Sequence, residues 1–196
     1  MNSKYFLVAA ALAVMAGSAL AQPETQVEVK KAPGQVTMSG TARVTATVVA
    51  IEAATRTVSL KDKKGKVVSL VVGEEARNFD QLKVGDVVTA EYKEAITLTL
   101  KKQGGGKSAV SEHESMDRSA PGAKPGGTAG REVTVLADVV AINAKTKMVT
   151  LRGPKGNTLD LMVEDPEQMK NIKKGDQVQA VYTEAVAVSV EPAAGK

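Results

Sequence analysis

The sequence predicts an all-β fold of two tandem five-stranded small barrels of the OB type, joined by a flexible linker. Each barrel is expected to carry a short helical turn between its third and fourth strands. Three observations carry this prediction. The first is an internal repeat. ATVVAIEAATRTVSLKDKKGKVVSLVV (residues 46–72) aligns without gaps on ADVVAINAKTKMVTLRGPKGNTLDLMV (residues 137–163), with 13 of 27 positions identical. After a one-residue deletion, KVGDVVTAEYKEAITLTL (83–100) aligns on KKGDQVQAVYTEAVAVSV (173–190). A match over nearly a whole unit means duplication of one domain. The second observation is the alternation of apolar and polar residues in short runs rich in Val, Thr and Ile, the period of strands. The third is the placement of Gly-containing polar turns between those runs.

In chain order, residues 1–21 read MNSKYFLVAAALAVMAGSALA. Lys4, the apolar run 5–16 and Ala19-Leu20-Ala21 form the charged, apolar and small-x-small parts of a cleaved export signal. The run is shorter than the ~20 residues a spanning helix needs. The expectation is therefore a periplasmic protein with no membrane insertion after signal removal. Residues 22–39 are expected to be a disordered N-terminal segment. The first repeat, 40–102, opens with a strand at 41–52. Strands at 57–61 and 66–73 flank the turn Lys63-Lys64-Gly65-Lys66. Residues 74–83 lose the alternation and form the helical turn. A strand at 86–93 places Val88, Ala90 and Tyr92 on one side, and a last strand at 96–100 turns Ile96, Leu98 and Leu100 inward. Residues 103–130 hold seven Gly, four Ser and two Pro. That composition cannot bury a core and predicts the linker. The second repeat, 131–192, follows the same order. Pro166, behind an acidic residue, marks the start of its helical insert. Residues 193–196 form a tail.

Composition excludes more than it identifies. Lys and Arg total 26 and Asp and Glu 22, a net charge of +4, without the dense basic field of a nucleic-acid binder. Cysteine is absent, which removes disulfides, thiolate metal sites and cysteine nucleophiles. There is no tryptophan, and beyond the signal the aromatics are Phe79, Tyr92 and Tyr182, too few for the stacking platforms of nucleic-acid-binding barrels. The single histidine lies outside both repeats, so neither can hold a Ser-His-Asp triad. No Gly-rich phosphate loop, HExxH or serine nucleophile motif is present. The expectation is a non-enzyme without a cofactor and without nucleic acid as a partner.

Three motifs remain. Lys-x-Gly-Asp occurs at 83–86 and 173–176, where Gly85 and Gly175 suit positive φ and Asp86 and Asp176 can bond the turn backbone. This is a structural turn feeding a strand. Tyr-x-Glu-Ala places Tyr92, Glu94, Tyr182 and Glu184 at matching points of the two repeats, with each tyrosine on the apolar face and each glutamate in the last turn. A phenol and a carboxylate at a barrel mouth can bind a ligand. Glu112, His113, Glu114 and Met116 in the linker combine imidazole, thioether and carboxylates, the donor types of a divalent or copper site.

ATVVAIEAATRTVSLKDKKGKVVSLVV followed by NFDQLKVGD resembles a group of uncharacterised exported proteobacterial proteins with one or two such units, a resemblance that covers both repeats and implies no activity. More distantly, the order Val-x-Ala-Ile, Val-x-Leu, Leu-Lys-Val-Gly-Asp and final strands resembles the OB-like periplasmic barrel that carries copper in metal-efflux systems. That resemblance implies a five-stranded barrel. The copper family's ligands are one His and two Met beside a Trp, and this chain departs from them: it has no Trp, and neither repeat has a His. The expected function is an exported binding or scaffolding protein of the envelope, whose partner is a protein or glycan, with the two repeats offering two similar surfaces. Periplasmic metal handling is the alternative, and hydrolysis by paired carboxylates the third reading.

Overall fold

The structure is a computed structural model and describes residues 23–102 and 106–193. The expected signal at 1–21 and most of the expected tail lie outside the described residues. Ten antiparallel strands form one sheet. They are β1 (Glu24–Ala32), β2 (Gln35–Glu52), β3 (Thr57–Asp62), β4 (Val67–Val71), β5 (Val87–Lys101), β6 (Ala109–Arg118), β7 (Gly127–Asn143), β8 (Met148–Arg152), β9 (Thr158–Met162) and β10 (Gln177–Glu191). The helical elements among the described residues are a 3-10 turn, Phe79–Gln81, and α1, Pro166–Asn171. The strand order is β4-β3-β2-β5-β10-β7-β8-β9, with β1 on β2 and β6 on β7.

The all-β class holds, but the organisation differs from two closed barrels. The sheet does not close, and the two repeats are joined edge to edge by β5 and β10. Two stretches expected to lack structure contain strands: β1 lies within 22–39 and β6 within 103–130. Every residue of β1 and β6 is exposed. Such strands are held by the backbone ladder to β2 and β7 and need no inward apolar side chains. The last two strands expected of each repeat are one continuous strand, β5 or β10. Tyr-x-Glu-Ala contains neither Gly nor Pro, and pairing on both sides keeps the chain extended there.

The repeats superpose in local detail. Both carry a bulge, between Val48 and Ala50 and between Val139 and Ala141. Gly85 and Gly175 have φ of 98° and 93°, a backbone that glycine adopts without strain. Asp86 and Asp176 are buried, and each carboxylate accepts a backbone N–H three residues upstream, from Lys83 at 2.8 Å and Lys173 at 2.9 Å. The structural reading of Lys-x-Gly-Asp therefore matches the geometry. In α1, Asp165 caps the helix by accepting from the Glu167 N–H at 2.9 Å, with Pro166 in the first turn, as the insert's sequence implied.

The register of β5 on β10 relates the two repeats by a pseudo-two-fold axis. Glu94 faces Glu184, Tyr92 faces Val186, and Ile96 faces Tyr182. The repeat alignment equates Glu94 with Glu184, Tyr92 with Tyr182 and Ile96 with Val186. The axis therefore passes between the two glutamates. One consequence is a shared core. Val139, Val149, Leu151, Ala137 and Val178 of the second repeat are buried, and Leu98 and Leu100 of β5 pack against them.

A second consequence is a reciprocal grip. The β1–β2 turn and the β6–β7 loop each contain Ala-Pro-Gly (32–34 and 120–122). The Gln168 amide accepts the Gly34 N–H at 2.9 Å and donates to Ala32 C=O at 2.7 Å. The Asn78 amide donates to Ala120 C=O at 2.7 Å and accepts the Gly122 N–H at 3.3 Å. Asn78 and Gln168 occupy equivalent repeat positions, so each repeat holds the other's hairpin tip by the same two bonds. Lysines add to the grip. Lys124 reaches Gln81 C=O at 2.8 Å and the Asp86 carboxylate at 2.5 Å, and Lys102 reaches Asp176 at 3.2 Å.

Burial raises the Asp86 pKa, but the Lys124 bond, the Lys83 N–H and the Lys124 charge together hold it below the ordinary carboxylate value. A depressed folded pKa contributes stability that is present above the unfolded value, about 3.9, and is lost as pH falls through the folded one. Lys124→Ala leaves Asp86 buried without its cation and is expected to cost about 1–3 kcal/mol in urea denaturation at neutral pH. It should also flatten the acid limb of the stability curve. Lys102→Ala, from a side chain 61% exposed, should cost under about 1 kcal/mol. Equal losses from the two variants would refute the assignment.

Candidate ligand-binding site

The site is built on one face of the four long strands. Side chains alternate across a strand, so the register assigns each residue to a face. Residues 88–100 with even numbers on β5 and 178–190 with even numbers on β10 share the apolar face with Val36, Met38, Val44 and Ala46 of β2 and Ala129, Val133, Val135 and Ala137 of β7. The opposite face is a polar ladder, in which Thr37 meets Thr97 at 3.0 Å. At its two ends the apolar face is buried in the lobes. In the middle it is open: Val27 and Val29 of β1, Val110 and Met116 of β6, and Val186 and Val188 of β10 are exposed there.

A polar row crosses this open middle. It runs from Gly40 of β2 through Glu94, Glu184 and Arg131 to Glu114 of β6. The four residues expected to form a ligand site, Tyr92, Glu94, Tyr182 and Glu184, are thus brought together at the pseudo-two-fold axis. They stand in strand interiors, not in the turn expected for the glutamates. Tyr92 Oη donates to Glu94 Oε2 at 3.2 Å and Tyr182 Oη to Glu184 Oε2 at 3.0 Å. Burial raises the Tyr92 pKa above that of a free phenol, with the neighbouring Tyr182 and the Glu94 carboxylate adding to the rise. Burial also raises that of Tyr182; the Tyr92 hydroxyl relieves part of this, and Glu184 and Glu94 add to it.

The two halves of the row are not equal. Glu184 has Arg131 at 3.8 Å, and Arg131 also bonds Glu112. The position matching Arg131 in the first repeat is Gly40. A Cβ there would already touch Glu94 Cγ and Oε1 at 3.5 Å, so Glu94 lies over bare backbone. Glu94 is 9% exposed, and its Oε1 is buried with no hydrogen-bond partner. Two carboxylates directly opposite on adjacent strands repel each other, and the cation sits on one side only. Beside this row is an open groove of about 490 Å³, lined by Tyr92, Glu114, Met116, Arg131, Glu184 and Val186 among others. Arg131 and the groove were not legible as a site. Arg131 breaks the repeat where Gly40 stands, and a search for shared residues passes over it.

The expected metal cluster is divided by β6. Glu112, Glu114 and Met116 lie on the groove face, because Glu114 pairs with Arg131 and Met116 with Ala129. His113 pairs with Glu132 on the opposite face. A strand without a bulge cannot turn His113 and Met116 to one ion. Among the described residues no group of three His, Cys, Asp or Glu is placed to hold a metal ion.

Both phenols have folded pKa values raised above the ~10 of an unfolded chain. They contribute stability that is complete below about pH 10 and lost as pH rises through the folded values. In a Tyr5→Phe chain, phenolate absorbance of the native protein should therefore rise only at higher pH than in the unfolded protein. Glu94→Gln should bring that ionisation down, and by removing the like-charge pair should raise stability at neutral pH by about 0.5–1 kcal/mol. Native ionisation at the unfolded pH would contradict the geometry. Comparison with protein-family models, with characterised proteins and with solved structures finds no match to this chain.

Proposed function

We propose that this chain is an exported, non-catalytic binding module of the cell envelope that takes its ligand or partner on the open middle of its apolar sheet face. The observation that carries the reading is the contrast between the ends and the middle of that face. A sheet buries its apolar side against another layer. Here the lobes do so at both ends, while the exposed valines, Met116, the groove and the charged row stay uncovered between them. Apolar surface with a few convergent polar groups is the make-up of binding sites. The expected pair of separate five-stranded barrels with two similar surfaces becomes, in this reading, one composite surface that both repeats supply. A carboxylate hydrolase gains little from the geometry, because the groove beside the Glu94–Glu184 pair is open and is not a deep cleft that would hold a substrate over both carboxylates. Copper handling gains nothing from a His and a Met on opposite faces. The export signal at 1–21 supports an envelope location, with an envelope protein or glycan as the source of the ligand.

A photo-cross-linking residue at position 116 tests this in intact cells, with the same residue at Thr97 on the polar face as the comparison. A specific adduct from position 116 and none from position 97 is the expected outcome. Equal labelling from both faces, or none from either, would overturn the reading.

A further inference from the structure

We propose that β1 is a self-recognition edge, along which two copies of this chain pair antiparallel into one continuous sheet. The proposal is independent of the binding face, because pairing in the plane of the sheet leaves that face uncovered. Four strands have an outer edge that pairs with nothing among the described residues: β1, β4, β6 and β9. Such an edge presents unpaired N–H and C=O groups to another chain, and proteins blunt it by shortness, proline, a bulge or charge. β4 and β9 are short, at five residues each. β1 has nine residues and β6 has ten, without Pro or Gly, and both run in unbroken register on their inner partners. Charge is the remaining guard, and it separates the two.

β6 carries Glu112, Glu114 and Asp117 against Arg118, so two copies of it repel. β1 carries Glu24, Glu28, Lys30 and Lys31, without net charge, and their order is self-complementary. In an antiparallel pair centred on Val27, Glu24 of each copy faces Lys30 of the other, Thr25 faces Val29 and Gln26 faces Glu28. Opposite charges and β-branched residues directly across from each other are the pairs that stabilise a sheet. The same order fixes the register. A slip by one residue sets the apolar side of one copy beside the polar side of the other. A slip by two sets Glu28 against Glu28 in one direction and Glu24 against Glu28 in the other, like charges that repel. The present partners compete little. Glu24 meets Lys63 at 3.1 Å and Lys30 meets Glu28 at 3.2 Å, all through side chains at least 60% exposed, and exposed pairs of this kind are weak. The product is a closed two-fold dimer in which the same edge serves both copies.

Sedimentation equilibrium of the chain as the cell produces it tests the proposal, and a reversible monomer–dimer equilibrium is expected. Glu24→Lys and Lys30→Glu should each weaken the dimer about tenfold, since each sets like charges opposite one another at two places. The double variant E24K/K30E exchanges the pair and should restore the parent dissociation constant, although it does not restore the contact with Lys63. Val27→Cys, at a position 66% exposed, should close a disulfide between copies. Residues directly opposite in antiparallel strands have Cα atoms about 4.5–5.5 Å apart, within disulfide reach, and the chain has no cysteine of its own. Ser115→Cys on β6 should close none. A chain that stays monomeric up to about 1 mM, charge variants that dimerise as tightly as the parent, or a double variant as weak as the single ones would overturn the proposal. So would disulfides from position 115 as fast as from position 27, or a Val27→Cys chain that links only to a Met116→Cys chain, the mark of β1 pairing with β6.

Discussion

The antiparallel pairing of β5 with β10 is the constraint on which the rest of the molecule depends. It runs over the full length of both strands and turns two repeats into one sheet. Because the pairing is centred on equivalent residues, it fixes a pseudo-two-fold axis, and the axis fixes what meets what. It sends Leu98 and Leu100 of the first repeat into the core of the second. It brings each hairpin tip to the other repeat's helical insert, where a side-chain amide binds it. It also sets Glu94 against Glu184 in the middle of a face that is otherwise apolar. Stability and site thus have a common origin in one ladder of backbone hydrogen bonds.

The grip between repeats explains how such thin lobes persist. Small β-units bury a modest fraction of their surface and are marginal alone, and the buried apolar residues here are few, chiefly valines. Polar contacts reinforce the joint that Leu98 and Leu100 make across the boundary. The two amide clamps and the Lys124–Asp86 pair satisfy backbone groups and a buried carboxylate that would otherwise be costly to leave unpaired. Each clamp lies across the repeat boundary, so loosening one repeat exposes polar groups of the other.

The sequence made the duplication, most strand positions, the glycine turns and the capped helix legible, because each has a local signature: identity at fixed spacing, alternation, positive φ, Pro after an acidic cap. It hid β1 and β6, because a strand exposed on both faces has no buried side to write a pattern into the chain. It also hid the fusion of the last two strands, since only the partners on either side decide whether Glu94 sits in a turn or a ladder. The site was half legible. Tyr92, Glu94, Tyr182 and Glu184 stood out because the repeat shows them twice. His113 and Met116 looked close in sequence, and the period of a strand separates them. The repeated Ala-Pro-Gly turns were a signal in plain view for the hairpin tips, and Asn78 and Gln168 at matching positions were its counterpart.

Gly40 and Arg131 show what joining the repeats in one chain makes possible. In an assembly of two identical subunits, any residue near the axis appears twice, so a guanidinium beside one central carboxylate forces a second beside the other. The paired cations would fill both sides and cancel the central charge. A single chain escapes that obligation. It keeps the symmetric frame, with its matched clamps and matched tyrosines, and places the arginine on one side only. The result is a centre with a handedness: a neutralised end at Arg131 and an unsatisfied end at Glu94. A molecule settling on that face meets a direction as well as a shape.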